Sequence, residues 1–179
     1  LGLIAKKGRL DYLYYVPASE RDMATSEIVL KAFQGQRLGG TRVMGPEEIK
    51  AIGPDFYENI RMEVKPTPKA APSDRKDLDS ALAIEYAMPV KGELWGEDGV
   101  LYGGRIINKD YLFVDKIRDL VFGDRIYDSK PVGTVTIFQD DVRVATNVLD
   151  DSGERAIGTR ISQKVYDAVA VGGRTWKDK

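Results

Sequence analysis

The residues best suited to recognition chemistry lie in one β-rich stretch, where Arg143 sits between Phe138 and Asn147, with Thr136 shortly before. A guanidinium fork can grip a small carboxylate through two parallel hydrogen bonds, with Thr136 and Asn147 as neutral donors and Phe138 as an apolar wall. A charged hydrogen bond contributes about 1.5–3 kcal/mol net, whereas an unpaired buried charge costs several. Arg143 is therefore expected to face either a bound acid or an internal carboxylate. Arg155 and Arg160 flank Gly158-Thr159, where the approach to a helix N-terminus could add backbone donors for an anion; the plainer reading is two solvated loop arginines. Tyr166 and Trp176 either line a pocket or pack in a core.

Other chemistries find less support. The pairs Asp140-Asp141 and Asp150-Asp151 offer oxygen ligands, but neither lies in the twelve-residue spacing that wraps calcium. The glycines between 35 and 40 lack the lysine arrangement of a phosphate loop. With no histidine and no cysteine, the chain has no Ser-His or Cys-His dyad and no thiolate or imidazole metal site. Neither a cofactor nor a metal is expected. An enzyme acting on a carboxylated substrate would have to use Asp140, Asp141 or Asp151 as base and Arg143 as electrostatic stabiliser, with no evident nucleophile beside them. The 27 Lys and Arg against 28 Asp and Glu leave a net charge of −1, so nothing electrostatic recommends nucleic acid or an anionic membrane as partner.

The elements that must hold Arg143 follow from periodicity. Residues 134–147 read as a hairpin turning at Asp140-Asp141, which sets Phe138 opposite Arg143, Ile137 opposite Val144, Thr136 opposite Ala145, Val135 opposite Thr146 and Thr134 opposite Asn147. Val135, Ile137 and Val144 then face a core, and Thr134, Thr136, Phe138, Arg143, Ala145 and Asn147 share the other face. Upstream, residues 10–16 read as a strand closed by Pro17, residues 26–35 as a helix, and Gly45-Pro46 as a helix start ended by Gly53-Pro54. Residues 59–65 alternate weakly, which reads as a strand. Residues 65–79, with three prolines, read as a surface loop or internal linker on which few contacts depend. Strands are expected over 81–90 and 100–108, the second with a bulge or close backbone approach at Gly103-Gly104. Between Asp110 and Phe122 a helix should present Phe113, Val114, Ile117, Leu120 and Val121 on one face, stopped by Gly123. A last helix is expected from a Thr159 cap to Gly172-Gly173.

At 179 residues and 42% hydrophobic, the chain can bury a real core. No run approaches the roughly 18 apolar residues of a membrane span. The start at Leu1 and the end at Lys179, soon after a helical pattern, are expected for a fragment of a longer protein.

Several motifs then converge. Leu101-Tyr102-Gly103-Gly104-Arg105-Ile106-Ile107-Asn108, Val114-Asp115-Lys116-Ile117, Gly133-Thr134-Val135-Thr136-Ile137-Phe138-Gln139, Arg143-Val144-Ala145-Thr146-Asn147-Val148, Arg155-Ala156-Ile157-Gly158-Thr159 and Val165-Tyr166 together resemble Cache sensor domains, in the form where a Cache 3 segment precedes a Cache 2 segment. The resemblance runs over about residues 100–176. It implies an α+β, PAS-like fold, an antiparallel sheet flanked by helices, divided as a Cache 3-like segment over 1–125 and a Cache 2-like segment over 126–179 that is incomplete at its C-terminus. It also implies a non-enzymatic, extracytoplasmic part of a membrane-anchored receptor, periplasmic, binding an organic acid or amino acid and compatible with a homodimer. Arg143, Thr146, Asn147 and Arg155 fall nearest the pocket so implied; Thr146 lies on the opposite hairpin face in the register above.

Overall fold

The computed structural model describes residues 11–23, 26–93, 96–128 and 130–177. Two compact units form, one from Leu1–Met44 with Leu82–Ile107 and one from Gly45–Ala81 with Asn108–Lys179. They are interleaved along the chain, a partition of a different kind from one by family segment.

The first unit is built on a four-stranded sheet in the order β1 (Asp11–Pro17), β6 (Gly99–Ile106), β5 (Ala81–Val90), β2 (Leu38–Met44). Both β1 and β5 run antiparallel to β6. The strands expected near 10–16, 81–90 and 100–108 are therefore present, with Leu10 outside the described residues and β6 ending at Ile106. α1 (Glu27–Phe33) follows its expected span and buries Val29 and Ala32.

Period-2 alternation gives this sheet two unlike faces. Tyr12, Ala83, Glu85, Ala87, Val100, Tyr102 and Ile106 are buried on one. The opposite face leaves Ile84 and Tyr86 40% and 48% exposed. Small alanines sit inside because the Tyr12 and Tyr102 rings fill the space above them, 5.9 Å apart edge to face. Tyr12, Gly104 and Glu85 lie in register across three strands. Glu85, 3% exposed, accepts hydrogen bonds from the Tyr12 hydroxyl, from the Tyr102 hydroxyl at 2.5 Å and from Arg42 Nε at 2.6 Å. Gly104 makes this possible: a Cβ there would stand 2.5 Å from the Tyr12 hydroxyl. Of the two readings of Gly103-Gly104, the close approach holds, and the β6 register runs through both glycines unbroken. Burial raises the pKa of Tyr12 and Tyr102, and the adjacent Glu85 carboxylate pushes it the same way.

In the second unit α2 (Pro46–Ile52) starts where expected. It also ends where expected, at Gly53, and a further helix that was not expected, α3 (Pro54–Ile60), begins at the proline, whose fixed φ and missing N–H suit a first turn. Because α3 consumes the residues to Ile60, the weak strand expected over 59–65 shrinks to β3 (Met62–Glu63), which pairs with β4 (Asp77–Leu78). Met62, Val64, Leu78, Val142 and Val144 form a buried cluster, with Ile137 packed against it.

Two expectations fail here. The proline-rich loop is tied down rather than loose. The Lys65 N–H donates to the Gly158 carbonyl at 2.9 Å, the Lys69 carbonyl accepts from the Gln163 N–H at 2.8 Å, and Arg160 bonds both Thr67 Oγ1 and the Ala71 carbonyl. Prolines prevent a ladder, but the remaining backbone groups still find partners one by one. The expected apolar stripe on α4 (Tyr111–Phe122) is also too wide. Val114 is buried, whereas Leu120 and Val121 are 81% and 63% exposed. Asp110 caps that helix through the Phe113 N–H at 3.2 Å. Beyond it, β7 (Ile126–Tyr127) pairs with β8 (Lys130–Pro131).

Candidate ligand-binding site

Strands β9 (Thr136–Gln139) and β10 (Val142–Thr146) form the expected hairpin, and Arg143 does stand opposite Phe138. Asp140 takes up the turn with φ 55°. Beyond Arg143 the register departs from expectation: Ala145 opposes Ile137 and Thr146 opposes Thr136, so Val144 is the extra residue of a bulge. Ile137 thus no longer opposes Val144, Thr136 no longer opposes Ala145, and Asn147 meets Val135, not Thr134, through an N–H to carbonyl bond of 3.2 Å. The bulge lets Val142, Val144, Ala145 and Thr146 all become fully buried, which strict alternation forbids.

A third segment fixes the backbone of Arg143 from its other edge. The Arg143 N–H donates to the Thr159 carbonyl at 2.8 Å and its carbonyl accepts from Gly158 at 2.9 Å. Glycine is required at 158, where φ is +78° and a Cβ would come within 2.1 Å of the Glu63 carbonyl.

The side chains separate sharply. Arg155 donates through Nη1 and Nη2 to the two oxygens of Asp115 at 2.8 and 2.7 Å and through Nη1 to the Thr146 carbonyl at 2.8 Å. Its guanidinium also lies over Tyr111, 4.7 Å from the ring centre. The bonds to Asp115 raise its pKa. Arg160 is held by Asp141, with Nε to Oδ2 at 2.6 Å. Arg143 has neither arrangement. Its guanidinium carbon lies 5.6 Å from the centre of the Phe138 ring, its Nε is buried without a hydrogen-bond partner, and among the described residues it makes no ion pair. Burial lowers its pKa, as expected for a cation removed from water without a counter-charge.

The expected neutral donors are engaged within the hairpin. The Thr136 and Thr146 hydroxyls bond each other at 2.7 Å, brought together by the bulge although sequence alternation puts them on opposite faces. Asn147 accepts from the Val135 N–H at 2.7 Å and donates to the Gly133 carbonyl at 3.2 Å. These groups brace the platform under Arg143. Thr159 does not cap the last helix; its hydroxyl donates to the Ala156 carbonyl at 2.7 Å, and α5 (Gln163–Tyr166) starts after Ser162 and continues as a π-helical turn over Asp167–Val171. Tyr166 is half-buried on α5, and Trp176 lies under the Lys164 ammonium at 4.7 Å. Of the acids considered as bases, Asp141 is taken by Arg160, while Asp140 and Asp151 are exposed. Among the described residues no group of three or more acidic side chains could hold a metal ion, and no helix is long and apolar enough to cross a membrane.

Sequence reasoning missed two charged features, the Glu85 cluster and a cleft around Lys109. A lone Glu in an alternating strand looks solvent-facing, and a lysine before a helix looks like surface.

Mixed helices and an antiparallel sheet define an α+β, PAS-like class. Residues 105–179 match the family model described as single Cache domain 3, so this stretch is similar to the Cache family of sensor domains. No curated protein and no solved structure matches the chain. Cache domains are in general ligand-binding sensors outside the cytoplasm.

Proposed function

We propose that the chain is the sensing part of a transmembrane signal-transduction receptor, periplasmic in location, and that Arg143 anchors a small anionic metabolite such as a short carboxylate. One observation carries the site: Arg155 and Arg160, near the same hairpin, have carboxylate partners, and Arg143 is held half-buried over Phe138 with none among the described residues. A bound acid would supply the missing charge. Thr136, Thr146 and Asn147 then act by fixing the strand, and Arg155 by fixing Thr146, rather than by touching the ligand. Signalling needs only that the ligand prefer one of two receptor conformations.

Titration calorimetry against a panel of short carboxylates tests this. A saturable heat is expected, and Arg143→Ala should weaken it about 10- to 100-fold, the loss of one charged hydrogen bond of about 1.5–3 kcal/mol. Unchanged affinity in that variant removes Arg143 from the site. A ligand recovered chemically altered would favour an enzyme.

A further inference from the structure

In the second unit a cleft of about 390 Å³ opens between the end of α3, strand β3, the start of α4 and the loop at 154–157. That volume is in the range of roughly 300–1,000 Å³ that holds small ligands. Arg143 does not line it.

Four cations do: Arg61, Lys65, Lys109 and Arg155. Three have an internal carboxylate, Arg61 with Asp77 at 3.6 Å, Lys65 with Asp150 at 3.4 Å and Arg155 with Asp115 at 2.7 Å. Lys109 does not. Its ammonium donates to the Arg61 carbonyl at 2.7 Å, which leaves its charge uncancelled and two N–H groups unspent. Burial lowers its pKa accordingly. The position is well fixed, since Lys109 has φ 60° and its own N–H is bonded to the Val144 carbonyl at 2.8 Å. Tyr111, half-buried beside it, has its ring under Arg155, and its hydroxyl makes no hydrogen bond among the described residues. Two acids also line the cleft. Glu63 and Glu154 are exposed, and among the described residues neither carboxylate has an ion pair or a hydrogen bond.

Cancelling the internal pairs therefore leaves one positive group at Lys109 and two negative groups at Glu63 and Glu154. We propose that this cleft binds a small zwitterion, its carboxylate on the Lys109 ammonium and the Tyr111 hydroxyl, its ammonium on Glu154 and Glu63. A simple anion meets the two free glutamates, and a simple cation meets Lys109, so each half-molecule is opposed by like charge. The Lys109 N–H and the Arg155 guanidinium both bond β10 carbonyls, so an occupant is linked to the strand that carries Arg143.

Three probes matched in size separate the possibilities: β-alanine, propionate and ethylamine, followed by backbone amide NMR on this chain. β-Alanine should move the amides of Lys109, Tyr111 and Glu154 saturably and bind at least about tenfold tighter than either half-molecule, with about that much lost in Lys109→Gln. Should Lys109→Gln fail to fold for want of its bond to Arg61, Glu154→Gln serves instead. It removes an exposed, unbonded charge and, combined with Glu63→Gln, should erase the preference for β-alanine over propionate. Propionate binding as tightly as β-alanine, no saturable shift at millimolar concentrations, or a preference that survives substitution would overturn the proposal. So would a response centred on Phe138 and Arg143, which would place the ligand on the hairpin instead.

Discussion

Arg143 and Phe138 face each other across β10 and β9, the guanidinium carbon 5.6 Å from the ring centre. The ring supports the cation without neutralising it. Such a contact contributes about 0.5–2 kcal/mol, less than a half-buried unpaired charge costs. Arg143→Met keeps apolar bulk over Phe138 and removes the charge. Its urea unfolding should show stability unchanged or raised by up to about 1 kcal/mol, while acid binding is lost. A clear loss of stability would mean that Arg143 has an internal partner.

Arg155 behaves oppositely. Its pairing with Asp115 is two-pronged, and the side chains are 27% and 31% exposed, so solvent screens part of its value. Asp115→Asn should cost about 1–2 kcal/mol in the urea midpoint. Arg155→Lys should not restore it, because an ammonium cannot span both oxygens and reach the Thr146 carbonyl.

Tyr12 and Tyr102 titrate above the ordinary tyrosine value of 10.0, chiefly through burial. The folded state therefore holds protons that the unfolded chain releases, and stability is full below pH 10.0 and falls as pH rises beyond it. Alkaline unfolding, followed by tyrosinate absorbance, should be cooperative. Tyr12→Phe should make the fall with pH shallower by about one proton, whatever it does to stability near neutrality.

Gly104→Ala tests the row that joins Tyr12 to Glu85. The added methyl would stand 2.5 Å from the Tyr12 hydroxyl and 2.8 Å from the Ile84 carbonyl. One neighbour is backbone, so the sheet cannot simply yield. A loss of about 1–3 kcal/mol is expected in chemical denaturation. An unchanged midpoint would show that the Tyr12 to Glu85 contact does not require the gap.

Local pattern carried much of the fold. Strands β1, β5 and β6, helices α1, α2 and α4 and the hairpin turn are legible because alternation and helical spacing are properties of neighbours in the chain, whereas β2, with glycines at 39 and 40, carried no such signal; Gly123 marks the boundary of α4 through backbone freedom alone. Arg143 opposite Phe138 is legible for the same reason, being only one step beyond the turn. The next step is not: the bulge at Val144 answers to the core of Met62, Val64 and Leu78, residues distant in sequence. Likewise the roles of Arg155, Glu85 and Lys109 could not be read from composition. Whether a charge is paired depends on which carboxylate the fold brings beside it, and Asp115 lies 40 residues from Arg155. By itself the sequence determined most of the regular elements and which residues bear charge. Only the tertiary structure decided which charges are already cancelled, because burial and long-range pairing set the cost of leaving one alone.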